Sequence, residues 1–168
     1  MELMKYYQRE LDRIRSNTSE YAKEALLKNQ GLVVSLLKYN QLSRGLNPDG
    51  GPLSFEQTIG GKEVKGKGKY SGATQAFADR DGVSIPKEKG APYNFSWTGE
   101  TLDNLKLGKV KTSDFTYSFK TVSAKQKLLE KLYGEIFELS EEHNEYVNKE
   151  IIEPYVAWRI IQEINKMI

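Results

Sequence analysis

The sequence predicts an α+β fold, and three features carry that expectation. Apolar residues recur at helical spacing over residues 1–44 and again toward the C-terminus. They alternate at strand spacing around residues 93–119, and a stretch dense in glycine and proline separates the two ends.

The first helix follows from Leu3, Tyr7, Leu11 and Ile14, whose four- and three-residue steps place them on one face. Asn17, with Glu20 three residues on, reads as the capping signal of a second helix. That helix turns Ala22, Leu26, Val33, Leu36 and Leu37 inward, with Gly31 as its weak point at up to ~1 kcal/mol against alanine.

Residues 45–92 hold ten of the 14 glycines and four of the five prolines. Asn47-Pro48-Asp49-Gly50-Gly51-Pro52 is dense turn chemistry, because each residue either fixes φ or tolerates a positive value. Phe55, Ile59, Phe77 and Ile85 are isolated apolar positions there, so the stretch reads as an extended loop or arm with short strand pieces. An arm this poor in apolar side chains is expected to gain order by lying against another subunit.

Order returns at residue 93. Tyr93, Phe95 and Trp97 alternate like a strand, Thr98-Gly99-Glu100-Thr101 turns into a short segment carrying Leu102 and Leu105, and Phe115, Tyr117 and Phe119 alternate again. With Leu107 and Val110 these predict a small antiparallel sheet. A helix over Ser123–Leu132 is stopped by Gly134, and Ser140 caps the last helix with acids in its first turn. Tyr146, Val147, Ile151, Val156, Ile160, Ile161 and Ile164 give that helix its apolar stripe, and Pro154 divides it near residue 153. One domain over 1–168 is expected, in the order α-α-(long loop)-β-α-β-β-α-α, with no internal repeat.

Composition narrows the function classes. Charged residues make up 29% with a net charge of +2, too balanced for a domain devoted to coating nucleic acid. Without cysteine there is neither a disulfide framework nor a thiolate metal site. The charged N-terminus does not resemble a signal peptide, and no stretch approaches the ~18 apolar residues of a membrane span. A protein soluble where it is made, with no membrane partner, is expected.

Catalytic and cofactor patterns are sparse. His143, the only histidine, sits in Glu-Glu-His-Asn-Glu, where Glu141, Glu142 and Glu145 point in different directions around a helix, so a solvated helix start is expected rather than a metal site. Gly61, Gly66 and Lys67 have the spacing of a phosphate-binding loop, but Gly68 replaces the hydroxyl residue that holds magnesium. Asp79-Arg80-Asp81-Gly82 lacks the later ligands of a calcium loop and reads as a surface turn. Glu100 and Asp103 beside aromatics are the one carboxylate pair that could serve glycan cleavage. No catalytic residue, cofactor or metal is expected.

Binding features are stronger. Lys62, Lys65, Lys67 and Lys69 against Glu63 give the glycine-rich loop a net charge of +3, suited to a phosphate backbone, an acidic protein surface or plain solvation. Ten tyrosines are spread along the chain, as at surfaces half apolar and half wet. From Glu135 onward eight glutamates face Lys149, Arg159 and Lys166, a net −5 that could meet the basic arm of a neighbouring copy head to tail.

From about Tyr39 onward the order of segments resembles the bacteriophage virion-morphogenesis or tail-completion (head–tail joining) family, especially in phages of Bacteroidetes. The resemblance rests on Gln41-Leu-Ser-Arg-Gly45 leading to Asn47-Pro-Asp-Gly50, on Lys87-Glu-Lys-Gly90-Ala-Pro92, on Trp97-Thr-Gly-Glu-Thr-Leu102, and on Leu128 through His143, where Glu138 stands in place of an expected glycine. It implies a non-enzymatic structural protein of the virion, assembled in the bacterial host cytoplasm. Such a protein would form or complete a ring of six or twelve copies at the head–tail junction or tail top. Other neck or tail proteins are the implied partners, with non-specific DNA contact in the lumen. Expected interface or lumen residues are Lys62, Lys65, Lys67, Lys69, Tyr93, Phe95 and Trp97. The rival expectation is a DNA-binding or packaging accessory protein that uses the basic loop.

Overall fold

The computed structural model describes residues 2–59, 62–66, 68–83, 87–94, 100–113, 116–121 and 123–167. Among these the chain is α+β, as the periodicities predict. Helices α1 (Glu2–Ser16), α2 (Thr18–Lys28) and α3 (Gln30–Ser35) follow one another with joints at Asn17 and Asn29. A π-helical turn (Leu36–Gln41) and a 3-10 turn (Leu42–Arg44) then lead to Gly45, whose φ of 71° ends the run. Hairpin β1 (Phe55–Ile59) and β2 (Lys62–Gly66), α4 (Gly72–Arg80) and the short α5 (Glu100–Asp103) come next. A second hairpin, β3 (Lys106–Lys111) with β4 (Thr116–Lys120), precedes α6 (Ser123–Tyr133), α7 (Glu141–Tyr146), a π segment (Val147–Ile152) and α8 (Glu153–Asn165).

Two local expectations about the N-terminal helices are corrected. Asn17 makes no side-chain cap, because its backbone stays near-helical (φ −89°, ψ −2°) and its N–H still donates to Arg13 O at 3.1 Å. An N-cap needs an extended backbone to turn its side chain onto the following amides. The interruption falls at Asn29, not Gly31. Asn29 directs both its backbone N–H (3.1 Å) and its Nδ2 (2.9 Å) at the Ala25 carbonyl, a side-chain bond that competes with the helical ladder.

The C-terminal cues hold. Gly134 takes φ 78° directly after α6, and Ser140 Oγ accepts the His143 N–H at 3.4 Å. Pro154 stands in the first turn of α8, immediately after the π segment. A proline supplies no N–H to the i→i−4 ladder, and the wider i→i+5 turn ahead of it takes up the mismatch.

The core joins the helices to the second hairpin. Leu26, Val33, Leu37 and Leu42 are buried against Leu102, Leu105, Leu107 and Phe119, and are closed over by Ile136, Phe137, Leu139, Val147 and Ile151. All five inward positions predicted for the second helix are buried. The face predicted for α1 is not covered in the same way: Ile14 is 4% exposed, whereas Leu11 is 48% and Leu3 66% exposed.

Residues 45–92 hold the short strand pieces expected of them and, beyond that expectation, a helix and ties to the body. They carry a hairpin and the nine-residue α4, and they are tied into the same monomer. Leu53 is buried in the core and donates its N–H to Gly45 O at 2.7 Å, while the Tyr93 N–H reaches Gly68 O at 3.2 Å. At this crossing a Cβ on Gly45 would lie 2.4 Å from Tyr93 O, and one on Gly68 (φ 71°) 2.8 Å from Leu53 O. Both positions therefore demand glycine. These ties correct the expectation that the segment gains its order by lying against another subunit. Strand pairing and these backbone crossings supply the order that its few apolar side chains do not.

Candidate functional site

Three surfaces hold the residues singled out by chemistry. The first is the β1–β2 hairpin with the lysines. Lys62 and Lys65 are exposed on β2 and, three residues apart, leave opposite faces of the ribbon; Lys69 is exposed beside its bridge to Pro92. Lys62 and Lys65 thus diverge rather than line one side. Lys67, Phe95 and Trp97 lie outside the described residues. The phosphate-loop spacing is occupied by a strand: Gly66 pairs with Phe55, and a Cβ there would fall 2.1 Å from the Phe55 ring. Glycine at this position makes room for an aromatic ring.

Tyr93 belongs to a tyrosine cluster inside the monomer. Its ring centroid is 5.1 Å from Tyr70, 6.1 Å from Tyr133 and 6.2 Å from Phe55. Burial raises the Tyr70 and Tyr93 phenols above their usual range and pushes Tyr133 up to about 12. Under this cluster lies Lys87, 1% exposed, an interior position that no pattern in the sequence marks. Its Nζ donates to Asn94 Oδ1 and stands 5.5 Å from the Tyr70 ring. Asn94 Oδ1 also accepts from the Tyr70 hydroxyl at 3.0 Å, and burial lowers the Lys87 pKa.

The second surface is a polar groove of about 800 Å³ between the Asn47–Gly50 turn and residues 139–144. The turn is fixed by its own chemistry, since Asn47 Oδ1 accepts the Gly51 N–H at 2.7 Å. The opposite wall is fixed by Gln41, 1% exposed, whose Nε2 donates to Glu138 O at 2.7 Å and whose Oε1 accepts the Ser140 N–H at 3.0 Å. Sequence reading missed Gln41. Its one signal is its place four residues after Leu37, on the inward face. Arg44, Asp49, Glu141, Glu142 and His143 line the groove, yet among the described residues no three histidines or carboxylates gather where they could hold a metal ion. Of the carboxylate pair considered for glycan chemistry, Asp103 is joined to Lys38 Nζ at 2.9 Å. The Asp79–Gly82 stretch is the C-terminus of α4, with Gly82 at φ 64°.

The third surface is apolar. A groove of about 420 Å³ runs between the start of α2 and the first half of α8, lined by Ser19, Ala22, Ile152, Val156, Ala157 and Ile160. Beyond it, Trp158, Ile161 and Ile164 are exposed on α8. Among the described residues no helix is long and apolar enough to cross a membrane.

No known protein family, curated protein or solved structure matches this chain.

Proposed function

We propose that the protein is a structural virion component that acts by subunit–subunit assembly, forming or completing a ring at the phage head–tail junction or tail top. The observation that carries this reading is the uncovered apolar surface of α1 and α8, where Leu3, Met4, Leu11, Trp158 and Ile161 all face solvent in the isolated chain. Large apolar patches of this kind mark surfaces that another protein covers. The order of segments from Tyr39 onward supports the virion assignment through its resemblance to the head–tail joining family. Lumen contact with DNA is a minor part of the proposal, because Lys62 and Lys65 leave opposite faces of the hairpin.

Negative-stain imaging of the purified protein at micromolar concentration tests the reading. Closed rings of uniform copy number, six or twelve, are expected. A monodisperse monomer across the whole concentration range, confirmed by light scattering, would overturn it.

A further inference from the structure

Helices α2 and α8 lie antiparallel, as three side-chain contacts show. The Lys28 ammonium sits over the Tyr155 ring at 5.0 Å, the Arg159 guanidinium over the Tyr21 ring at 4.8 Å, and Tyr155 Oη bonds Glu24 at 3.1 Å. Helix α1 continues from α2 through the near-helical Asn17, and Arg13 Nη2 meets Glu163 Oε2 at 2.9 Å, close to the end of α8 at Asn165. Past that ion pair α1 has no partner helix among the described residues. Its apolar face nonetheless goes on: Leu11, Tyr7, Tyr6, Met4 and Leu3 share the side of the helix that Ile14 commits to the body. The overhang from Leu11 to Leu3 is about 12 Å long.

A single amphipathic helix of this length is marginal in water, and its helicity comes mainly from packing its apolar face. The same molecule carries a socket that fits such a face, the apolar groove between α2 and α8 extended by Ile161 and Ile164. Thr18, Ser19, Ala22 and Ala157 are small enough for a third helix to come close. One copy cannot fill its own groove. The Arg13–Glu163 pair fixes α1 at the C-terminal end of α8, whereas the groove lies along residues 152–160 and the overhang points away from it.

Resting on the assembly reading above, we infer that the overhanging face of α1 docks in the α2–α8 groove of a second copy of this chain. The contact is heterologous, knob to socket, and propagates head to tail until the rotation closes a ring. Its area suits the role. At about 200 Å² for a side chain of this size, the exposed parts of the five α1 residues and of Ile161 and Ile164 come to roughly 700 Å². That is close to the apolar share of a standard interface of about 1,600 Å².

Complementation between two disabled full-length chains tests this. Tyr7→Asp spoils the knob and Ala157→Arg blocks the socket; both residues are exposed, so circular dichroism should match the parent. By mass photometry each variant alone is expected to be monomeric. An equimolar mixture should give heterodimers and nothing larger, because one intact knob meets one intact socket. Leu3→Asp, at a still more exposed site, should behave as Tyr7→Asp does. If the parent assembles and the variants assemble equally well, the docking inference falls while the ring reading survives and α1 belongs to another partner. If each variant is monomeric and the mixture is too, the contact is not knob to socket. A monomeric parent would remove both readings.

Discussion

The helical body and the glycine-rich zone of residues 45–92 are held together in opposite ways. In the body, Leu26, Leu37, Val33 and Val147 are fully buried, and the fold rests on apolar packing spread over many side chains. In the zone, order comes from strand pairing, from the Gly45 and Gly68 crossings, and from one ring cluster around Tyr93. The difference teaches that a segment poor in apolar residues need not wait for a partner. It can be stitched to its own core at a few backbone points, with Leu53 reaching into the main core. Loss of one stitch should then cost stability of the same order as loss of a buried side chain, though somewhat less.

The largest effect is expected in the body. Leu37→Ala removes a fully buried side chain from the core cluster that also holds Leu26, Leu42 and Ile136, and should destabilise by about 3–4 kcal/mol in urea unfolding followed by circular dichroism. Gly45→Ala should cost roughly 2–3 kcal/mol, since it places a Cβ at φ 71° and 2.4 Å from Tyr93 O. If zone and body form one cooperative unit, Gly45→Ala lowers the single unfolding midpoint. If the zone is an independent appendage, the midpoint stays and hydrogen exchange rises only over residues 45–93.

The smallest effect runs in the opposite direction. Lys87 is buried with an amide and a tyrosine ring as its described partners, and Lys87→Met should stabilise the fold by about 1 kcal/mol. Its pH dependence follows from the lowered pKa of the folded state. Between that lowered value and the ordinary lysine range the unfolded chain binds more protons, so parent stability rises with pH there. The advantage of Met is therefore full below the lowered folded-state pKa, shrinks as pH rises from there, and vanishes above the ordinary lysine pKa. Thermal melts of both proteins from pH 7 to 11 measure it, and a gap that stays constant with pH would show that the ammonium is not the cause.

Of the candidate site, the sequence made the lysines of the 62–69 stretch legible as exposed charge, and Lys62, Lys65 and Lys69 are exposed. It could not show that Lys62 and Lys65 diverge, because a ribbon's two faces become defined only when β1 pairs with β2 in a fixed register. Nor could it separate Tyr93 from an interface aromatic: alternation reports which side chains share a face, and the partners of that face come from Phe55, Tyr70 and Tyr133, far apart in the chain. Gln41 and Lys87 were invisible as interior residues, since polar side chains are buried only where a distant carbonyl, amide or ring happens to receive them.

The sequence by itself determined the elements whose cause is local. The inward stripe of the second helix, the β3–β4 hairpin, the stop at Gly134, the cap at Ser140 and the division before Pro154 each depend on a few neighbouring residues. Only the tertiary structure decided that Leu53 enters the core, that Asn17 stays helical, and that the α1 face is covered at Ile14 and bare from Leu11 to Leu3. Periodicity fixes which side of a helix is apolar. What covers that side depends on where α8 ends beside it, a distance set by packing between segments about 150 residues apart.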